Sequence, residues 1–222
     1  MRLRLRPAGL FPKKGKERSI TPREIDKATE VIRSLAARVM RGEQQAPPLK
    51  LFEAIQALTP QPYVEVIFTD GKGRYALHKR PPTERFFGAG KLHILGGQVK
   101  PDRKGTSMVK AARRMAQEEM GAQDVEYLAG PIATYQWKRG VDHPTGWPHS
   151  NVYVLKVVGD LPTREDIVWF DNNTLPPSDQ IIIGKSGEIH TDFLRVYQQW
   201  CENPQQPCVD LNEKPLTPEK TP

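Results

Sequence analysis

Cysteine is almost missing from this 222-residue chain: Cys201 and Cys208 are the only two, both near the C-terminus. They make no disulfide framework, and their spacing matches no zinc-ligand pattern. Reduced thiols in a cytoplasm are the simplest expectation. No run of about 18 apolar residues occurs, which excludes a membrane-spanning helix. The N-terminus lacks the apolar core of a signal peptide. Internal repeats are also absent, which argues against a solenoid or an array.

Positive charge and proline are plentiful. The formal net charge is +7 and the pI about 9.4. That balance favours anionic partners such as nucleotides or nucleic acid, with a solvated basic surface as the plainer reading. The 21 prolines gather at the ends and in connections, around a middle able to bury one core. Residues 1–20 carry many bases and the single acid Glu17, and read as a flexible arm. Contact with nucleic acid or phosphate is that arm's alternative role. Residues 21–59 read as a helical extension, 60–202 as the main domain, and 203–222 as a Pro-rich disordered tail.

Thr21-Pro22-Arg23-Glu24 opens a helix, with Thr21 as cap, Pro22 in the first turn and Glu24 closing a capping box. Ile25, Ala28, Ile32, Leu35 and Val39 form one apolar stripe, ending near Arg41. A second short helix follows from Leu49 to Leu58. Both stripes read as ordinary core faces that cover the main domain or mediate a homodimer. Tyr63 to Arg80 reads as a hairpin turning at Asp70-Gly71-Lys72-Gly73. Strands are expected over 125–137, 151–158 and 166–171, and a C-terminal helix carries Ile189, Phe193, Val196, Tyr197 and Trp200.

The stretch from Gly96 to Gly121 carries the chemistry. Gly96-Gly97 closes an apolar run, a polar loop follows, and a helical pattern ends at Glu118-Glu119-Met120-Gly121. Val109, Ala112, Ala116 and Met120 share one face, and Gly121 suits a left-handed stop. Two carboxylates thus stand at the negative end of the helix dipole, each disfavoured by roughly 0.3–1 kcal/mol if exposed. Arg114, one turn earlier, offsets part of that cost. A hard divalent cation would offset more, since Mg²⁺ is held by one or two carboxylates plus substrate phosphates. A solvated Glu-Glu pair is the bland alternative.

This stretch resembles the Nudix box. Gly96 and Gly97 stand at its glycine pair, Arg114 at its arginine, Ala116 at its apolar position, Glu118 and Glu119 at its acidic pair, and Gly121 at its closing glycine. Three features depart from the box. Met115 stands where the family has the Glu of Arg-Glu, Thr106 stands where an early acid belongs, and the loop before it is longer. Asp102, within that loop, is a candidate for the early acid's role. The resemblance implies an α/β fold, an α/β/α sandwich around a mixed curled sheet, with the helical extension added. It implies hydrolysis of a nucleoside diphosphate linked to another moiety, with Mg²⁺ or Mn²⁺ on Glu118, Glu119 and the Gly97 carbonyl.

Met115 cannot accept a proton, so the base must come from elsewhere, and Glu119, His143 and His149 are the catalytic candidates. Both histidines lie in the long loop from Lys138 to His149, where a structural or surface histidine is the alternative for each. Arg80 and Arg85 are candidate phosphate forks, and Trp147 a candidate to stack on a base. A box with an apolar residue after Arg, plus a loop histidine, is also partly similar to GDP-mannose mannosyl hydrolases. The rival reading is a catalytically impaired module that binds nucleotide or RNA.

Overall fold

The computed structural model describes residues 21–41, 43, 51, 59–82, 88–99, 107–138, 147–181 and 185–213. The chain divides into two compact units, Met1–Pro47 and Pro48–Pro222. In the first, α1 runs from Pro22 to Met40. Its start is the expected capping box: the Thr21 amide donates to Glu24 Oε2 at 2.9 Å, and the Glu24 amide donates to Thr21 Oγ1 at 3.3 Å. Among the described residues of this unit, its apolar stripe has no core of its own. Ile25 and Ile32 are 54% and 46% exposed. One described helix has no second layer of its own to bury against. The second expected helix lies, apart from Leu51, outside the described residues.

In the second unit, the described strands form one mixed sheet. They are β1 (Pro60–Thr69), β2 (Arg74–Lys79), β3 (Leu92–His93), β4 (Leu95–Gln98), β5 (Asp124–Gln136), β6 (Trp147–Val158), β7 (Ile167–Asp171) and β8 (Val209–Asp210). The order is β3-β2-β1-β6-β5-β8, with β4 on β1 and β7 on β2. β1 runs parallel to β6 along its whole length. Its other edge is shared: Tyr63–Val66 pair with β4, and Phe68–Thr69 with β2. The hairpin is therefore real but short, because β4 takes over the edge β2 leaves. Asp70 fixes its turn, accepting from the Lys72 and Arg74 amides at 2.7 and 3.0 Å.

Alternation along β1 assigns the two faces. Val64, Val66 and Phe68 pack with Ala111, Ala112, Met115, Ala116 and Met120 of the helical segment after β4. Ile67 points the other way, into a core with Phe193, Leu194, Val196 and Tyr197. Those residues belong to the C-terminal helix, Lys185–Glu202, called α3 below; α2 is Met108–Met115. The result is the expected α/β/α sandwich. One expectation about the tail is corrected. Val209–Asp210 pairs with β5 at Ala133 and Thr134, and Leu211 is buried. Val209 and Leu211, on either side of Asp210, are enough to add a short edge strand.

Candidate functional site

The helical segment has a structure that periodicity alone does not give. Ser107 caps α2, its Oγ accepting from the Lys110 amide at 3.1 Å. After Met115 the helix widens into a π-helical turn over Ala116–Met120. Such turns recur at functional sites. Gly121, at φ 74°, ends it with its amide on the Ala116 carbonyl. The widened turn treats its two acids differently. Glu118 is 56% exposed, with its Oε2 3.6 Å from Arg114 Nε. Glu119 is half-buried, and its charge acts on both Glu65 and Arg164.

Gly96 and Gly97 lie in β4, opposite Glu65 and Val64 of β1. Both are glycine because of close approach. A Cβ on Gly97 would stand 2.6 Å from Met115 Cε, and one on Gly96 only 1.7 Å from Glu65 Oε2. Met115, in the place of the family's acid, is thus buried beneath the glycine strand.

Glu65 is the main residue that sequence reasoning missed. It lies on the α3 face, fully enclosed, with Ser150 Oγ donating to its Oε1 at 2.9 Å and Trp137 Nε1 donating to Ser150 at 2.8 Å. Burial pushes its carboxyl up to about 8; Ser150 and Arg80 pull the other way, and Glu119 adds to the rise. Arg80 acts also on His93 and His190, both held neutral chiefly by burial, with His190 pushed down to about 3. His190 Nδ1 is buried without a hydrogen-bond partner among the described residues. A polar chain continues around the sheet edge. His78 Nδ1 meets His93 Nε2 at 3.0 Å, and His78 Nε2 meets Asp166 Oδ2 at 3.1 Å. Asp166 is also bound by Arg164, which keeps its carboxyl down near 2.

Other expected residues fall less favourably. His149 is exposed, with Nδ1 3.3 Å from Gln136 Oε1. Alternation puts the neighbouring Ser150, rather than His149, on the face of Glu65. Trp147 opens β6 and is 42% exposed. Arg80 follows β2, its amide donating to the Lys91 carbonyl at 2.9 Å. His143, Arg85, Asp102 and Thr106 lie outside the described residues.

The donor set bears on a metal. Among the described residues, no group of three or more His, Cys, Asp or Glu side chains is placed to hold an ion. An all-protein cage is therefore not what these residues form. Two adjacent carboxylates at a helix end are donors of the kind used by a cation that retains waters and arrives with phosphates.

No family model and no curated protein matches the sequence. Solved structures do. A Nudix hydrolase from Nitrosomonas europaea superposes with a TM-score of 0.50 at 18% identity, over 68% of this chain and 78% of that one. An ADP-ribose pyrophosphatase from Streptococcus suis matches at 0.49 and 15%, over 68% and 99%. A UDP-X diphosphatase matches at 0.47 and 14%, over 87% and 89%. The chain has the Nudix fold. No described helix is long and apolar enough to cross a membrane.

Proposed function

We propose that this chain hydrolyses a nucleoside diphosphate linked to another moiety, with Mg²⁺ or Mn²⁺ held by Glu118, Glu119 and the Gly97 carbonyl. One observation carries the reading. A half-buried Glu119 and a fully buried Glu65 lie within electrostatic reach of each other beside Gly96, with Arg80 acting on Glu65. Buried acids arranged against one another are far more usual at working sites than in plain cores. When bound, the cation would neutralise pyrophosphate oxygens and acidify a water. Arg80, with Arg85, binds phosphate oxygens. Glu65 supplies the carboxylate that Met115 does not, and it holds or takes a proton at its Oε2. His143 is the loop candidate for the same task. His149, exposed and on Gln136, ranks below both.

The test is a screen of nucleoside diphosphate derivatives and nucleoside triphosphates with Mg²⁺ or Mn²⁺. Metal-dependent turnover that Glu119→Gln abolishes is the expected result. A second reading rests on Met115, only 4% exposed, and on Glu118 turned toward Arg114. These suit a module that binds nucleotide or RNA without cleaving it. Saturable binding with no turnover, and turnover gained by Met115→Glu, would favour that reading.

A further inference from the structure

We propose that α1 is a self-association surface through which two copies of this chain pair antiparallel. The seam is Ile25, Ala28, Ile32 and Leu35. Its steps of three, four and three are those of the a and d positions of a heptad repeat, the spacing that lets one helix seat its knobs in another. The seam is exposed at Ile25 and Ile32, and Val31 beside it is 55% exposed. Large apolar side chains aligned along one helix mark an interaction face, whereas scattered ones do not. A lone helix of this length is marginal in water, and packing of its apolar stripe is what normally stabilises it.

Charge selects the occupant. The first half of α1 carries Glu24, Asp26 and Glu30 beside Arg23 and Lys27; the second carries Arg33 and Arg38 with no acid. In a parallel pair the flanking position of Glu24 would face the partner's Thr29, which carries no charge. Antiparallel copies bring each acidic half against a basic half. Glu24 and Arg38 occupy the same flanking position of the repeat, two heptads apart, so each faces the other across an antiparallel pair. The apolar layers fit as well. Ile25 lies against the partner's Leu35, and Ala28 against the partner's Ile32, small against large.

Analytical ultracentrifugation of the full chain over a wide concentration range tests this. A reversible monomer–dimer equilibrium is expected, and the double variant Ile25→Asp/Ile32→Asp should raise its Kd at least about 100-fold, because two apolar anchors are lost. Arg38→Glu alone should weaken pairing by setting two acids face to face, and adding Glu24→Gln, which keeps the capping box and removes the repulsion, should recover part of it. The charge variants leave the apolar seam intact, so they test the pairing even if the double aspartate variant loses its helix. A chain that stays monomeric throughout overturns the proposal. So does a dimer indifferent to the aspartates, since it uses another surface. Failure of Glu24→Gln to recover any of the pairing lost in Arg38→Glu overturns the antiparallel arrangement.

Discussion

Glu118 and Glu119 are neighbours with unequal prospects. Glu118 leans to solvent and Arg114, whereas Glu119 is half-buried and acts on Glu65 and Arg164. A cation at the helix end should therefore depend more on Glu119. Glu119→Gln is expected to weaken Mn²⁺ binding at least about tenfold, and Glu118→Gln less, in a titration followed by electron paramagnetic resonance. Equal losses would show that the helix end rearranges around the ion. Glu65→Gln is expected to lower turnover by roughly 10²–10⁴-fold, the usual share of general acid–base catalysis. Its Mn²⁺ affinity should change little, and an equal loss of affinity would make Glu65 a ligand instead. The acidic pair, Arg114 and the closing glycine were legible in the sequence because their pattern is local. Glu65 was not. Its meaning depends on Gly96 across the ladder and on Ser150, 85 positions away. A lone Glu inside Val64-Glu65-Val66-Ile67-Phe68 was the available signal. It becomes readable once β1 is known to be covered on both faces.

At the scale of elements, β4 shows how two adjacent glycines can be required for different reasons. Methyl groups on Gly96 and Gly97 would enter opposite faces of the sheet. On Gly97 the obstacle is Met115 Cε, the far end of a flexible side chain. On Gly96 it is the carboxylate of Glu65, enclosed and held by Ser150. Gly96→Ala should therefore cost about 1–3 kcal/mol, as overpacking of a tight interior does, and Gly97→Ala less. The Gly96→Ala cost should shrink in a Glu65→Ala background, a coupling that a double-mutant cycle in urea measures. Additive costs would mean that the glycine serves the strand rather than the carboxylate. The sequence located these glycines, because a Gly-Gly pair after an apolar run is conspicuous. It could not tell which side chains approach them, since register across strands sets that. The π-helical turn was hidden for a related reason: Ala116–Met120 has ordinary helical periodicity, and packing decides how it winds.

For the whole molecule, α1, the hairpin, the long strands β5 and β6, β7 and the helices α2 and α3 were legible from alternation and stripes, whereas the short strands β3 and β4, exposure of the α1 stripe and pairing of β8 depended on tertiary context. Ionisation across the fold gives a further expectation, with its sign set by linkage. Asp166, lowered from 3.8 to about 2, contributes stability that is present above pH 3.8 and lost as pH falls through 2. His190, lowered from 6.5 to about 3, favours the fold fully above pH 6.5 and loses that contribution as pH falls toward 3. His93 is shifted in the same direction. Glu65 works in the opposite sense. Its carboxyl rises from 4.5 to about 8, so its contribution is complete below pH 4.5 and is lost as pH climbs to 8. Between pH 4.5 and 6.5 the two histidines outweigh the single Glu65, since the unfolded state binds one proton more than the folded state, and stability should rise with pH. From 6.5 to 8 Glu65 acts without that opposition: the folded state keeps a proton that the unfolded state has released, so stability should fall. Urea unfolding at a series of pH values, free of divalent metal, measures this directly. Glu65→Gln carries no titrating proton at that position, and its stability should stay level from pH 6.5 to 8 where the parent chain declines. A decline of equal slope in both proteins would place the responsible proton elsewhere in the fold.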